Sequence, residues 1–349
     1  MLAYVYSSTH QKADLMEVST PELSEGGAVI KVLACSICGT DLRTYRYGSK
    51  KLDDGVVLGH ELVGQIIQLD ENVKDFHVGD VVSIAPAIGC GECRSCQKGF
   101  TNMCDQLKTI GFQFDGAFAE YMAVPKQAFQ MGNVYRLPES EDYSIYTLSE
   151  PLACIINAQS FLKITKGDTV VIFGSGIIGC MHAELALGSG ADRVFLIDHN
   201  ANRIQELRRI LDGVDFLNPK ETDIFEEISR KTEGNGVDVA IIACSSGQAQ
   251  EDGMNLLGKH GRISLFGGLP GESNGFIDSN LVHYKEISVF GAHASTPEQN
   301  KQAMEMIRDG VIHARNYTSF QYPLGEIDKA FQDVDARKII KATIVNNTI

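Results

Sequence analysis

The chain has little of what nucleic-acid and membrane partners select for. Its 349 residues carry 31 lysines and arginines against 45 acidic residues, a formal net charge of −14. Such a surface repels phosphate backbones and anionic lipid, so nucleic acid and membrane are excluded as general partners and a small molecule is expected instead. Uninterrupted apolar runs are also missing. The longest apolar region, 170–191, is broken by five glycines and carries His182 and Glu184, groups that are costly inside a bilayer. No segment is both long and polar enough to read as disordered. The opening stretch lacks a basic region followed by an apolar one, so no secretion signal is read there and a cytoplasmic location is expected.

What is present is the balance of a globular chain, 44% hydrophobic and 22% charged residues, at a length that suits about two domains. Nine cysteines are an odd number, and cytosolic redox poise keeps thiols reduced. Clustered thiols therefore suggest a metal. Cys90, Cys93, Cys96 and Cys104 follow the spacing C-x2-C-x2-C-x7-C, with Gly91, Ser95 and Gly99 in the gaps to let the backbone curl round an ion. The spacing differs from the common ferredoxin run, and disulfides are disfavoured by compartment, so zinc is the reading. Four thiolates fill a tetrahedral shell and leave no position for substrate. This ion is structural, and the chemistry must lie elsewhere.

A second, mixed donor set is scattered: Cys38 in "CSICGTD", His60 and Glu61 in "LGHELVG", and Glu150 in "SEPLAC". Each alone has an ordinary reading as a buried thiol, a hydrogen-bonded histidine or a surface carboxylate.

The second half is more explicit. A β-rich run at 169–173 leads into Gly174-Ser-Gly176-Ile-Ile-Gly179, then a helical segment, then a second β-rich run at 194–197 ending in Asp198, 19 residues past the last glycine. This is the whole context of a dinucleotide-binding fingerprint. Gly174 permits the tight turn, Gly176 lets backbone approach a pyrophosphate, and Gly179 allows close helix packing. The helix N-terminus offers free N–H groups to the phosphates. Asp198 can accept from both ribose hydroxyls and repels a 2′-phosphate, which favours NAD over NADP; His199 and Arg203 nearby temper that preference. Further on, a helix at 222–232, a strand at 236–244, a helix around 247–258 and a strand at 261–268 continue the alternation of a doubly wound parallel sheet. Its ligand crevice lies at the strand C-terminal ends, which puts Cys244 and the Phe266-Gly267-Gly268 turn near a nicotinamide. The first 150 residues read as mostly β, and the tail "KIIKATIVN" is again β-like, as if the chain returned to its first domain.

With "CGTD" at 38–41, "GHE" at 59–61, the four-cysteine lobe, "EPLAC" at 150–154 and "GSGIIG" at 174–179 in this order, the chain resembles the zinc-dependent medium-chain dehydrogenases, in the branch of sorbitol, threonine and galactitol-phosphate dehydrogenases. The resemblance implies an α/β protein: a GroES-like, mostly β catalytic domain of 1–152 and 291–349 with a structural zinc lobe at about 88–106, and a Rossmann NAD-binding domain of 153–290. It implies two zinc ions per chain and NAD as cofactors. Cys38, His60 and Glu61 match the catalytic zinc ligands, and Glu150 the acid that either ligates the zinc or holds its water. Asp41 matches an acid that orients His60. Ile178, Asp198 and Arg203 match cofactor contacts, and Lys341 a basic residue reaching the pyrophosphate. His293 lies where the family's chain passes the nicotinamide, with a structural histidine the competing reading. One departure is Arg43, where the family often has a proton-passing histidine; a guanidinium is a poor proton acceptor.

The implied activity is oxidation of a secondary alcohol in a polyol or sugar alcohol, or the reverse ketone reduction, with Thr40 passing the substrate proton onward. A phosphorylated polyol or threonine is the alternative substrate, with Arg43 the candidate to recognise a phosphate. A non-catalytic nucleotide-binding sensor is the alternative of another class. The edge-strand-like "KEISVFG" at 285–291 leads to the expectation of a homodimer or homotetramer.

Overall fold

The computed structural model describes residues 1–269, 271, 275 and 277–346. It divides into two compact units, Met1–Ala153 with Ala294–Ile349, and Cys154–His293.

In the first unit the strand Ala28–Ser36 is the organiser. Its run AVIKVLACS is apolar on both faces, and it pairs antiparallel with Glu61–Leu69, Tyr121–Val124 and Thr343–Val345 within a seven-stranded sheet. Two registers matter for function. Ser36 lies opposite Glu61, and Thr343 opposite Ser36, so the residues just beyond Ser36, just before Glu61 and just before Thr343 meet at one end of the sheet. The helix Gly39–Tyr47 starts there and is anchored by Tyr45, stacked on the buried Phe331 at 4.9 Å between ring centroids. Phe331 in turn packs against Phe118 and Tyr4 in the main core of this unit.

The second unit is a six-stranded parallel sheet in the order Val214–Leu217, Arg193–Ile197, Thr169–Phe173, Val237–Ile242, Leu257–Leu265, Ser288–Gly291. The central strands are near-continuous apolar runs because helices cover both faces of such a sheet. The order reverses between Thr169–Phe173 and Val237–Ile242, the switch point at which doubly wound sheets bind ligands. The expected helix at 222–232 is Ile224–Lys231, capped by Asp223, whose carboxylate accepts from the N–H groups of Phe225 and Glu226. One expectation is corrected here. The helix beginning at Gly247 ends at Leu256 and the next strand starts at once with Leu257, because Leu257 pairs with Val237 and a register shift follows. That strand ends at Leu265, so Phe266, Gly267 and Gly268 form the turn after it. The expected edge strand is Ser288–Gly291. Among the described residues no helix is long and apolar enough to cross a membrane.

Candidate active site

The four-cysteine lobe folds as one short helix, Arg94–Gln97, and one 3-10 turn, Thr101–Met103. It brings the Sγ atoms of Cys90, Cys93, Cys96 and Cys104 all within 4.8 Å of one another. Backbone N–H groups point at the sulfurs: Glu92 and Cys93 donate to Cys90, and Cys90 and Gln106 to Cys104, at 3.2–3.4 Å. N–H donors from Cys96 and Asp105 lower Cys93 to about 6, whereas burial pushes Cys96 up to about 12. The donor set and its spacing fit a closed thiolate zinc site.

The mixed set gathers at the sheet end defined above. Cys38 is the N-cap of Gly39–Tyr47, and its sulfur accepts from the Thr40 N–H at 3.4 Å. Asp41, 4% exposed, ties two of the candidate ligands together: one oxygen accepts from the Cys38 N–H at 2.9 Å, and the other lies 3.5 Å from His60 Nδ1. Among the described residues Nδ1 of this buried histidine has no hydrogen-bond partner. Burial disfavours the imidazolium, but the charges of Asp41, Cys38 and Glu150 outweigh it and raise His60 well above its ordinary value. Glu150 lies in the first turn of Ser149–Leu162. The segment leading into that helix is fixed by the Thr147 hydroxyl, 2.6 Å from the Ser36 hydroxyl, which is also 2.9 Å from that of Thr343. A soft thiolate, an imidazole and carboxylates in a partly open setting are the donors a catalytic zinc takes. No second group of three or more donor atoms converges to 4.8 Å among the described residues.

Lys341, which the family resemblance sets as a pyrophosphate contact, lies beside the mixed set. Its ammonium is ion-paired with Glu61, both side chains almost fully buried, beside the negative charges of Cys38 and Glu150. The reason is the register: with Thr343 opposite Ser36, a residue two positions earlier arrives opposite Cys38. Lys341 is therefore paired with an acid of the mixed site, and Glu61 has a partner that competes with any metal. Thr40 and Arg43 lie on the exposed side of the helix, three residues apart, and so are neighbours on its surface. Arg46 is ion-paired with Asp335; among the described residues Arg43 has no ion pair.

In the second unit the glycine turn joins Thr169–Phe173 to the helix Ile177–Gly188. Gly174 has φ +101°, and a Cβ on Gly179 would sit 1.8 Å from the Gly174 carbonyl oxygen, so side chains are excluded at both. A Cβ on Gly176 would meet nothing within 4 Å, which leaves room over the turn and the helix start, a fit for a pyrophosphate. Ile178 is in the first turn of that helix, and Arg203 is in Ala201–Leu207, close enough to help hold the Asp198 carboxyl low. Cys244 follows the strand Val237–Ile242, and Gly267 packs so tightly on its carbonyl that a Cβ would come within 2.3 Å. Burial raises the Cys244 thiol to about 11, so it stays neutral. Gly268 and His293 are exposed residues.

His182 has no motif around it in the sequence. It is fully buried in Ile177–Gly188; its Nδ1 accepts from Gln159 Nε2 at 3.1 Å, and the ring stands edge-on to Phe266 at 4.8 Å. Burial lowers it to about 3 from an ordinary 6.5. The folded chain thus refuses a proton that the unfolded chain takes up below pH 6.5, so stability is complete above that pH and is lost as pH falls toward 3. Between pH 7 and pH 5.5 the loss should be on the order of 1 kcal/mol. Urea titrations at both pH values check this: the loss should shrink in His182→Gln, and an identical loss in the variant would rule it out.

Residues 24–138 match the family model of the alcohol dehydrogenase GroES-like domain, and residues 178–309 that of the zinc-binding dehydrogenases. The chain is 34% identical over 296 residues to an L-threonine 3-dehydrogenase of Pyrococcus horikoshii, covering 83% of this chain and 82% of the relative. It is 31% identical over 318 residues to a sorbitol dehydrogenase of Halalkalibacterium halodurans, covering 90% of each. A D-arabitol-phosphate dehydrogenase of Enterococcus avium is 30% identical over 338 residues, 95% of this chain and 93% of its own. The fold superimposes on a zinc-binding dehydrogenase of Sinorhizobium meliloti bound to NADP with a TM-score of 0.90 at 27% identity, over 99% of this chain and 98% of that one.

Proposed function

The chain belongs to the zinc-dependent medium-chain dehydrogenase family, and from that premise we propose that it interconverts a secondary alcohol and its ketone with NAD(H), the substrate being a polyol or sugar alcohol. The observation that carries this is that Cys38, His60 and Glu61 lie at one sheet end, with Glu150 near enough for its charge to act on His60 and Lys341, an arrangement that a protein without chemistry does not need. Cys38, His60 and one of the two acids would hold the catalytic zinc, and the four-cysteine lobe a second, structural one. When bound, zinc supplies Lewis-acid polarisation of the alcohol oxygen and NAD accepts the hydride. The chain's own residues do the rest. Asp41 fixes Cys38 and His60 relative to each other. Thr40, exposed one turn before Arg43, takes the substrate proton onward, since Arg43 stays protonated and cannot. Gly174, Gly176, Ile178 and Gly179 seat the dinucleotide, Asp198 takes the adenosine ribose, and Cys244, Phe266, Gly267, Gly268 and His293 border the nicotinamide. We assign the protein to the cytoplasm, in keeping with the clustered, metal-type spacing of its thiols, as a homodimer or homotetramer in which the edge strand Ser288–Gly291 is covered.

A second reading is favoured by Arg43. Unlike Arg46 it has no carboxylate partner among the described residues, and it stands one turn beyond the helix start that holds Cys38. A free guanidinium there suits a phosphorylated polyol, the substrate class in the name of the Enterococcus relative. Comparing kcat/KM for threonine, neutral polyols and polyol phosphates tests both readings. A phosphate preference that weakens with salt and falls about tenfold in Arg43→Ala establishes the phosphorylated substrate. Neutral polyols turned over best, with Arg43→Ala without effect, establish the first reading, and turnover of no alcohol would remove both.

A further inference from the structure

The Asp198 carboxylate is already occupied in an unequal way. One oxygen accepts two hydrogen bonds from a single residue, Ser175, from its backbone N–H at 2.9 Å and its hydroxyl at 2.7 Å. Among the described residues the other oxygen accepts only from the Asn200 N–H at 2.9 Å. A carboxylate offers about four acceptor directions, so three are taken by the protein and one, on the Asn200 side, is open. Ser175 is itself fully buried. Its position follows from the sheet: Phe173 lies opposite Ile197, and the Gly174 N–H donates to the Ile197 carbonyl at 2.8 Å. The variable residue of the glycine turn is thereby brought against the acid that closes the next strand.

We infer that Ser175 is a positioning residue for coenzyme selection, its hydroxyl holding the Asp198 carboxylate so that the open oxygen faces the adenosine ribose and the negative charge stays where a 2′-phosphate would fall. This rests on the dinucleotide reading of the second unit, but not on any alcohol substrate. The hydroxyl matters because, fully buried, it meets no ligand itself and acts through Asp198, adding a second donor to the oxygen that the backbone N–H beside it already holds. A 2′-phosphate has no proton to donate to the open oxygen and is repelled by the charge held there.

The test is equilibrium binding of NADH and NADPH to the full-length, zinc-loaded protein, followed by nucleotide fluorescence; the chain has no tryptophan, so nucleotide emission is read without that overlap. In Ser175→Ala the Kd for NADH should rise about tenfold, the scale of one charge-assisted hydrogen bond, while that for NADPH changes by less than about threefold. The preference for NADH over NADPH should narrow accordingly. Ser175→Thr, which keeps the hydroxyl, should restore the wild-type ratio, and Ser175→Ala should add nothing in an Asp198→Ala background, where the group it positions is gone. An unchanged ratio in Ser175→Ala, equal weakening of both nucleotides, or additive effects in the double variant would each overturn the assignment. Wild-type protein that binds neither dinucleotide, or prefers NADPH, would instead count against the coenzyme reading itself, so the two failures are told apart.

Discussion

Replacing Cys38 by serine is expected to lower kcat by at least about a thousandfold while leaving a folded protein that binds NADH as the wild type does. The size follows from the several kcal/mol of charge stabilisation that a Lewis acid supplies to a developing alkoxide, which a hydroxyl in place of the thiolate cannot anchor. The selectivity follows from the local structure. Cys38 is a helix N-cap whose sulfur accepts from the Thr40 N–H, and serine is among the residues that cap best. The helix Gly39–Tyr47 therefore loses nothing, and its anchor, Tyr45 on Phe331, is untouched. The glycine turn that would seat NADH belongs to the other unit. Steady-state kinetics, zinc content and NADH titration on one preparation check all three parts. A variant that turns over at more than about a tenth of the wild-type rate would show that Cys38 does not hold the catalytic metal.

Replacing Cys93 by serine should do the reverse, removing one zinc per chain and lowering the melting temperature by about 10 °C or more. Within residues 90–104 the buried side chains are Cys96, Thr101, Asn102 and Cys104, whereas Phe100 and Met103 are more than half exposed. The lobe has no hydrophobic core of its own. Its order must come from the ion, so structural zinc here contributes folding energy directly. Cys93 is the thiol held lowest by backbone donors, and a serine hydroxyl in its place is a poor zinc ligand. Differential scanning calorimetry and elemental analysis of the two variants side by side decide the matter. Cys38→Ser should keep its melting temperature and Cys93→Ser should not, and a Cys93→Ser protein with wild-type zinc content and stability would refute a structural role.

The parts of this protein that could be read from the chain are those whose partners are close in sequence. The four thiols lie within fifteen positions, and the glycine turn is continuous with the strand before it and the helix after it. The mixed donor set was harder, because Cys38, His60, Glu61 and Glu150 are individually unremarkable residues; only their agreement with a family pattern joined them. Lys341 shows what that route leaves out. Its ammonium is buried against Glu61, 280 residues away, a pairing that nothing in the tail announces. His182 and Gln159 met for the same kind of reason, across two helices with nothing in either segment to announce it.

The sequence by itself determined the α/β class, the four-cysteine cluster and the glycine turn between a strand and a helix, because each is encoded by spacing and by alternation of apolar residues over short stretches. Tertiary structure alone decided which charges are committed and which remain open: Arg46 to Asp335 but not Arg43, Lys341 to Glu61, and Ser175 to Asp198. Those pairings depend on strand register and helix packing between distant segments. A side chain in a sheet finds its neighbours from the strands on either side, and the order of those strands is not written in any one of them.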